Sequence, residues 1–264
     1  MIEIETILHA AQPATVAVAW YDLHTNREFF SRADESFYPA STFKVGVMME
    51  AFHRASQGLL NLEDKIPVVN SFTSAADGSS FSIQAEDDSD TTLYEKIGGQ
   101  ETLRGIIHLM IARSSNLGTN ILVERLGAQQ IQAYLRQLGV EGVHILRGVY
   151  DVRAYAQGIA NSASARGLMH MMQAIADGKA AASQEMIEIL FEQEFNEGIP
   201  ARLPKSARVA HKTGWMDDLY HDCGIIFPEK RKPYLLAVMT TGFKHETDAH
   251  ACVASISETI YKAL

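Results

Sequence analysis

Ser41 and Lys44 stand three positions apart at the predicted beginning of a helix. Residues at this spacing share one helix face, so the Lys44 amine would lie near the Ser41 hydroxyl. An amine with a lowered pKa can take the proton of a serine and make it a nucleophile, and the free N–H groups of a helix start can bind a developing oxyanion. The same segment also fits a helix cap followed by an exposed lysine, so by itself it leaves both interpretations open.

A second polar segment, Ser114-Ser115-Asn116, falls between two predicted helices. A short turn of this composition can direct a hydroxyl and an amide into a cleft. It is equally typical of an ordinary interhelical turn.

The third segment, Lys212-Thr213-Gly214, lies in a predicted strand. Strand alternation sends Lys212 and Gly214 to one face and Thr213 to the other. Gly214 would let a substrate approach the strand closely, and the N–H of the following Trp215 is then a candidate oxyanion donor. The alternative is an ordinary strand end.

The elements that must position these residues follow from hydrophobic periodicity. Segments rich in Val and aromatic residues predict strands at 14–21, 27–31, 207–213, 219–227 and 233–241. Helical spacing predicts helices at 3–11, 101–113, 117–126, 128–138, 164–177, 183–195 and 246–263, besides the helix that Ser41 opens. Residues 147–163 lack a clear period and predict a long surface loop, and the acidic cluster at Glu86, Asp87, Asp88 and Asp90 predicts a solvated one.

This order predicts an α+β fold in which strands from both chain ends form one antiparallel sheet of about five strands. Terminal helices flank the sheet, and an all-helical subdomain is inserted between its strands. We expect a single domain over residues 1–264, with an α/β part at 1–45 plus 198–264 and a helical part at 46–197.

Composition limits the partners. The formal net charge of −9 argues against a nucleic-acid partner, and no apolar run approaches the roughly 20 residues that span a bilayer. The acidic N-terminus is unlike a secretion signal, so we expect a cytoplasmic protein if the chain is complete and a secreted one if an export signal was removed.

Cys223 and Cys252 are too few for a disulfide framework and predict buried apolar residues. The oligomeric state stays open.

No metal or other cofactor is expected. The segment from His245 to His250 nearly matches the zinc motif His-Glu-x-x-His, but its second histidine is one residue too far along and is rotated away from the first. The sequence also lacks a glycine-rich phosphate loop ending in Gly-Lys. We therefore expect a small-molecule substrate, and neither nucleic acid nor a membrane as partner.

Taken together, the three polar segments are specific. Ser114 follows Ser41 by 73 positions and Lys212 follows Ser114 by 98, and the order Ser-x-x-Lys, Ser-x-Asn, Lys-Thr-Gly is the signature set of class A β-lactamases and penicillin-binding proteins. The chain resembles that superfamily over roughly residues 14–262, including the approach to Ser41 from Phe37, the segment Leu59–Lys65 and the helix Asn120–Gly127.

The resemblance implies a role for each residue. Ser41 would attack a carbonyl carbon, Lys44 would activate Ser41, and Ser114 would pass a proton to the leaving nitrogen. The N–H groups of Ser41 and Trp215 would form the oxyanion hole. The substrate would be bound by Asn116, Lys212, Thr213 and Gly214.

Two positions depart from the class A pattern. Ser115 replaces an aspartate of the second motif, which puts the rigidity of that turn in doubt. Val149 stands two residues past Arg147, where class A enzymes carry the glutamate that activates the deacylating water. A valine cannot act as a base, and Asp151 is the nearest carboxylate in sequence. Asp151 is a candidate for that base or a loop residue that fixes its own backbone.

We therefore expect a serine hydrolase that opens a β-lactam amide through a seryl acyl-enzyme, with slow or altered deacylation. The alternatives are a D-amino-acid peptidase or esterase, and a penicillin-binding or sensor protein that is acylated without turnover. The expected small-molecule substrate is accordingly either a β-lactam or a peptide or ester. His221, in a strand after the third motif, is a further candidate for the pocket.

Overall fold

The computed structural model describes residues 2–264. Its α-helices are α1 (Ile2–Ala10), α2 (Lys44–Ser56), α3 (Leu103–Ala112), α4 (Asn116–Leu126), α5 (Ala128–Gln137), α6 (Val152–Ala156), α7 (Ala165–Ala176), α8 (Ser183–Phe191) and α9 (Glu246–Lys262). Its strands are β1 (Thr15–Asp22), β2 (Glu28–Ser31), β3 (Lys65–Pro67), β4 (Phe72–Thr73), β5 (Ser80–Phe81), β6 (Gln100–Thr102), β7 (Val143–His144), β8 (Ser162–Ala163), β9 (Arg208–Met216), β10 (Leu219–Phe227) and β11 (Tyr234–Thr241). Short 3-10 helices cover Ala40–Phe43, Ala85–Asp87 and Tyr94–Lys96.

The main sheet joins the two ends of the chain. Its strand order is β2-β1-β11-β10-β9, and every neighbouring pair is antiparallel. The central register pairs Ala19 with Ala237, and β11 is buried along almost its whole length. The predicted five-stranded antiparallel sheet and the α+β class are therefore confirmed.

Two apolar layers hold this sheet, one on each face. Val18, Leu236 and Val238 face the terminal helices, where they pack with Val253 and Ile256 of α9 in one cluster. The other face packs against α7 and the helical part of the chain in a larger cluster. Burial on both faces explains why β11 is apolar over most of its length. The division of the chain into two subdomains stays a prediction.

Two predicted elements differ from those observed. Ser41 does not open a regular α-helix: it lies in the 3-10 helix Ala40–Phe43, and α2 begins at Lys44. The segment 147–163 is not structureless, since it contains α6 and β8. Asp151 caps α6 by accepting the Ala154 N–H at 3.1 Å, and a helix of five residues is too short to leave a hydrophobic period in the sequence.

Candidate active site

A cleft of about 690 Å³ lies where the start of α2, the start of α4, strand β9 and the segment around residues 147–152 meet. Ser41, Ser114, Asn116, Val149 and Trp215 are among the residues that line it. The structure thus brings residues from three distant segments of the chain to one cavity.

Ser41 presents its hydroxyl to this cleft. The residue is half-buried, and its hydroxyl has no hydrogen-bond partner within residues 2–264. The bend that exposes it begins at Ala40, whose φ of +44° is in the left-handed region that a non-glycine residue rarely adopts. The Thr42 hydroxyl fixes the bend by donating to the Pro39 carbonyl at 2.6 Å.

Strand β9 lies directly against this bend because Gly214 has no side chain. A Cβ at Gly214 would stand 2.6 Å from the Ser41 nitrogen, a separation that real Cβ atoms essentially never show, and 3.0 Å from the Thr42 nitrogen. Only glycine allows the backbone of β9 to approach Ser41 this closely. The Ser41 backbone nitrogen and strand β9, which carries Trp215, are therefore neighbours at the cleft.

The Lys44 amine is fully buried at the start of α2, three residues after Ser41. It donates to the Ser114 carbonyl at 2.6 Å and to the Asn116 side-chain oxygen at 2.8 Å, and it lies 3.4 Å from the Ser114 hydroxyl. Burial holds the pKa of the Lys44 amine well below its ordinary value, and repulsion from Lys212 lowers it further, while Asp88 opposes the shift. Lys44 is thus an amine that loses its proton readily.

Lys212 reaches Ser114 from the other side. Its amine donates to the Ser114 hydroxyl at 3.1 Å and to the Thr213 carbonyl at 2.9 Å. Burial lowers the pKa of Lys212 to about 7, against the attraction of Cys223 and Asp222. The Ser114 hydroxyl, on a residue with φ of +59°, therefore lies between two lysine amines.

Thr213 contributes a hydroxyl that is buried and has no hydrogen-bond partner among the residues that the structure describes. A buried hydroxyl without a partner costs stability, so such groups are typical of sites that a ligand completes. This orphaned hydroxyl and the adjacent Lys212 amine are the pair that the sequence predicted for binding a substrate carboxylate.

Asn116 is held through both its backbone and its side chain. Its backbone N–H donates to Asp88 at 2.8 Å, and its side-chain nitrogen donates to the Asp87 carbonyl at 3.2 Å. The acidic cluster was predicted to be a solvated loop; this holds for the exposed Glu86 and Asp87 and is wrong for the half-buried Asp88 and the buried Asp90. No sequence signal singles out Asp88, because its partners lie 28 and 29 positions away.

Val149 lines the cleft from the opposite wall, and its backbone is firmly held. The Asn120 side chain accepts the Val149 N–H at 2.7 Å and donates to its carbonyl at 2.9 Å. Gly148 is required beside this clamp, since a Cβ there would collide with the Asn120 amide. The position is ordered but carries no group that can accept a proton.

Both oxygens of the Asp151 carboxylate already accept hydrogen bonds, from residues 74–75 and from the start of α6. One oxygen accepts from the Ser74 hydroxyl at 2.8 Å and from the Ala154 N–H, and the other accepts the Ala75 N–H at 2.7 Å. The residue is only 3% exposed. This geometry matches the alternative in which Asp151 fixes backbone rather than activates water.

His221 does not line the cleft. It is fully buried, its Nδ1 accepts the Thr240 N–H at 3.2 Å, and its Nε2 contacts the Tyr38 carbonyl at 2.9 Å. Since a carbonyl can only accept, Nε2 carries the proton and the ring is the neutral tautomer. Nε2 therefore ties β10 to the segment before Ser41 and Nδ1 ties it to β11, so neither nitrogen is left for a substrate.

Backbone strain concentrates at this cleft. Of the seven non-glycine residues with left-handed φ within residues 2–264, four line it: Ala40, Ser114, Tyr150 and Asp217. Such conformations persist only where the surrounding structure imposes them, and they cluster at functional sites.

The structure offers no sign of a metal centre in the part of the chain it describes, where no group of three or more His, Cys, Asp or Glu side chains converges. Cys223 and Cys252 are both buried free thiols. No helix between residues 2 and 264 is both long and apolar enough to cross a bilayer.

Comparison with known proteins finds relatives and solved structures that match nearly the whole chain. A β-lactamase of Bacteroides uniformis is 23% identical over 281 residues, which cover 99% of this chain and 90% of that protein. Among solved structures, an ancestral class A β-lactamase superposes with a TM-score of 0.85 at 23% identity over 99% of each chain. PBP-A superposes with a TM-score of 0.83 at 22% identity over 98% of this chain and 94% of its own. At these identities the two structures show the fold.

The sequence model of the beta-lactamase enzyme family matches residues 2–264, which is nearly the whole chain. The resemblance predicted from the three polar segments is thereby confirmed. The chain belongs to the beta-lactamase enzyme family.

Proposed function

We propose that this protein is a serine hydrolase that opens β-lactam amides by forming an acyl-enzyme at Ser41. The observation that carries the proposal is the arrangement at the starts of α2 and α4: a fully buried Lys44 amine with a strongly lowered pKa, and a Ser114 hydroxyl within 3.4 Å of that amine and 3.1 Å of Lys212. These groups are what a serine needs to become a nucleophile and to hand on its proton.

Lys44 acts as the base in this proposal. A neutral amine has two N–H groups and one lone pair, and the contacts to the Ser114 carbonyl and the Asn116 oxygen use both N–H groups. The lone pair is then free to accept the Ser41 proton. Asp151 is not placed for this role, because its two oxygens already accept from Ser74 and Ala75, and Val149 has no acidic group.

After attack, the negative charge on the carbonyl oxygen is stabilised by the N–H groups of Ser41 and Trp215. Ser114 receives the proton from Lys44 and delivers it to the leaving ring nitrogen. The ring C–N bond breaks, and the acyl group stays on the Ser41 oxygen. Lys212 and the unpartnered Thr213 hydroxyl bind the substrate carboxylate, and Asn116 binds the amide of the acyl side chain.

The second half of the cycle is slow in this proposal. Hydrolysis of the ester needs a base for the attacking water, and the ordered position that faces the cleft is Val149. A variant of the structural neighbour PBP-A is described as an acyl-enzyme complex with penicillin G. That neighbour supports stable acylation within this fold.

The experiment is to mix the protein with benzylpenicillin and follow its intact mass over minutes, with Ser41→Ala as control. An adduct on the unsubstituted protein alone, decaying with release of opened product, supports a β-lactamase. A complete absence of adduct and turnover would overturn the proposal and leave the D-amino-acid peptidase or esterase alternative.

A second function, a penicillin-binding or sensor protein that is acylated without turnover, is favoured by Val149 alone. In the same experiment it gives an adduct on Ser41 that persists and releases no product. The two functions share the acylation chemistry and differ only in the lifetime of the ester.

A further inference from the structure

The beginning of α4 needs partners for backbone groups. The first four N–H groups of a helix have no acceptor within the helix itself. Two of them are satisfied locally: the Ser115 N–H donates to the Leu109 carbonyl at 3.1 Å, and the Ser115 hydroxyl accepts the Gly118 N–H at 3.1 Å. The N–H groups of Asn116 and Leu117 remain, and Ser115 cannot reach them as well.

Asp88 accepts both remaining groups. One carboxylate oxygen takes the Asn116 N–H at 2.8 Å and the other takes the Leu117 N–H at 2.8 Å. The carboxylate is itself fixed, since the Asp90 N–H donates to it at 3.2 Å and the Tyr94 hydroxyl at 3.1 Å. A negative charge at a helix N-terminus is also favoured by the helix dipole.

Asn116 links this carboxylate to the reacting centre. Its side-chain oxygen accepts from the Lys44 amine at 2.8 Å, so a shift of the first turn of α4 would displace the group that orients that amine. Asp88 also acts on Lys44 through its charge. Of the charged groups that act on the Lys44 amine, Lys212 from β9 lowers its pKa and Asp88 raises it, while Ser114 and Asn116 are uncharged.

We propose that Asp88 is a positioning residue for acylation: it clamps the first turn of α4 so that Asn116 holds the Lys44 amine. This inference rests on the proposed acylation at Ser41. Asp88 is not the missing base, because four donors already occupy its two oxygens.

The test compares the unsubstituted protein with Asp88→Asn. This substitution keeps the side-chain shape but removes the charge and one of the two side-chain oxygens that accept backbone N–H groups. Glu95→Gln is the control, since it removes an exposed carboxylate seven residues further along the same loop. Two quantities are measured: the rate of acylation by benzylpenicillin from intact mass, and the titration midpoint of Lys44 from the NMR shift of its labelled Cε. Thermal unfolding shows that each variant is folded.

We expect Asp88→Asn to slow acylation by about tenfold to a hundredfold and to move the Lys44 midpoint to lower pH, while Glu95→Gln changes neither. Slower acylation with an unchanged midpoint means a merely structural role and overturns the inference, as does unchanged acylation. If the unsubstituted protein is not acylated at all, the proposed function fails. The inference then fails with it, whereas an acylated protein whose rate is unchanged in Asp88→Asn refutes the inference alone.

Discussion

The two walls of the cleft are both held by hydrogen bonds but differ in the chemical groups they present. On the wall that holds Ser41, polar groups converge on the reacting atoms: Lys44 and Lys212 are buried and both contact Ser114. On the wall formed by residues 147–163, polar side chains hold the backbone in place rather than contacting Ser41, Lys44 or Ser114. Asn120 holds Val149, and Asn161 holds Arg147.

The hydrogen bonds that fix the path of a loop are therefore independent of the reactive groups that the loop presents to the cleft. Asn120 holds both backbone groups of Val149, so the path of the chain at this position does not depend on a basic side chain. A glutamate at Val149 would stand on the same fixed backbone. The energetic cost lies on the other wall, where two amines are removed from water. Buried amines are costly, and such cost is tolerated where the lowered pKa serves function.

The largest expected effect comes from removing the Lys44 amine. Lys44→Met keeps the length and apolar body of the side chain but leaves no proton acceptor, so acylation of Ser41 by benzylpenicillin should slow by about 10³-fold. Intact mass at a series of times measures the rate, and thermal unfolding checks the fold. Acylation at the unsubstituted rate would mean that another group removes the Ser41 proton.

A gain of function on the opposite wall is the next largest effect. Val149→Glu places a carboxylate on the clamped backbone facing the cleft, and we expect the acyl-enzyme to hydrolyse about 10²-fold faster because a general base contributes at least that much. The lifetime of the benzylpenicillin adduct measures it. Val149→Gln is the matched control, since its side chain has nearly the same shape but no basic group. Equal lifetimes in the two variants would show that this position cannot deliver a base.

Asp151 gives a test of the loop wall with an effect on stability rather than rate. Asp151→Asn keeps the shape but loses the charge behind its contacts with Ser74, Ala75 and Ala154, so the free energy of unfolding should fall by about 1–3 kcal/mol. Chemical denaturation measures this, and the lifetime of the acyl-enzyme should stay the same. A much longer lifetime would identify Asp151 as the deacylating base.

The sequence predicted the wall that holds Ser41 better than the opposite one, and the reason is physical. Ser41, Lys44, Ser114 and Lys212 belong to short motifs whose residue types indicate their chemistry, and strands β9–β11 carry a clear apolar pattern. The Asp88 clamp depends on hydrogen bonds between residues 28 and 29 positions apart, and such contacts leave no periodic trace.

Local geometry was harder to predict than the elements. The bend at Ala40 places Ser41 in a 3-10 helix, whereas helical spacing over Phe43 to Phe52 gives no sign of where the regular α-helix begins. The orientation of His221 could not be predicted either. Alternation along a strand indicates which face a side chain occupies, but it does not indicate whether a backbone carbonyl lies within hydrogen-bond distance on that face.

The smallest effect concerns the charge on Lys212, and its sign follows from burial. The amine is positive only below its pKa of about 7, so binding of a substrate carboxylate should weaken as pH rises above that value, by at most about tenfold per pH unit. Calorimetry with the Ser41→Ala protein and benzylpenicillin between about pH 6 and about pH 9 measures binding without acylation. Lys212→Arg should bind with little dependence on pH over this range, because a guanidinium stays charged. The methyl ester of benzylpenicillin, which lacks the carboxylate, should show no such weakening, and a parallel decline for the ester would show that Lys212 does not bind the carboxylate.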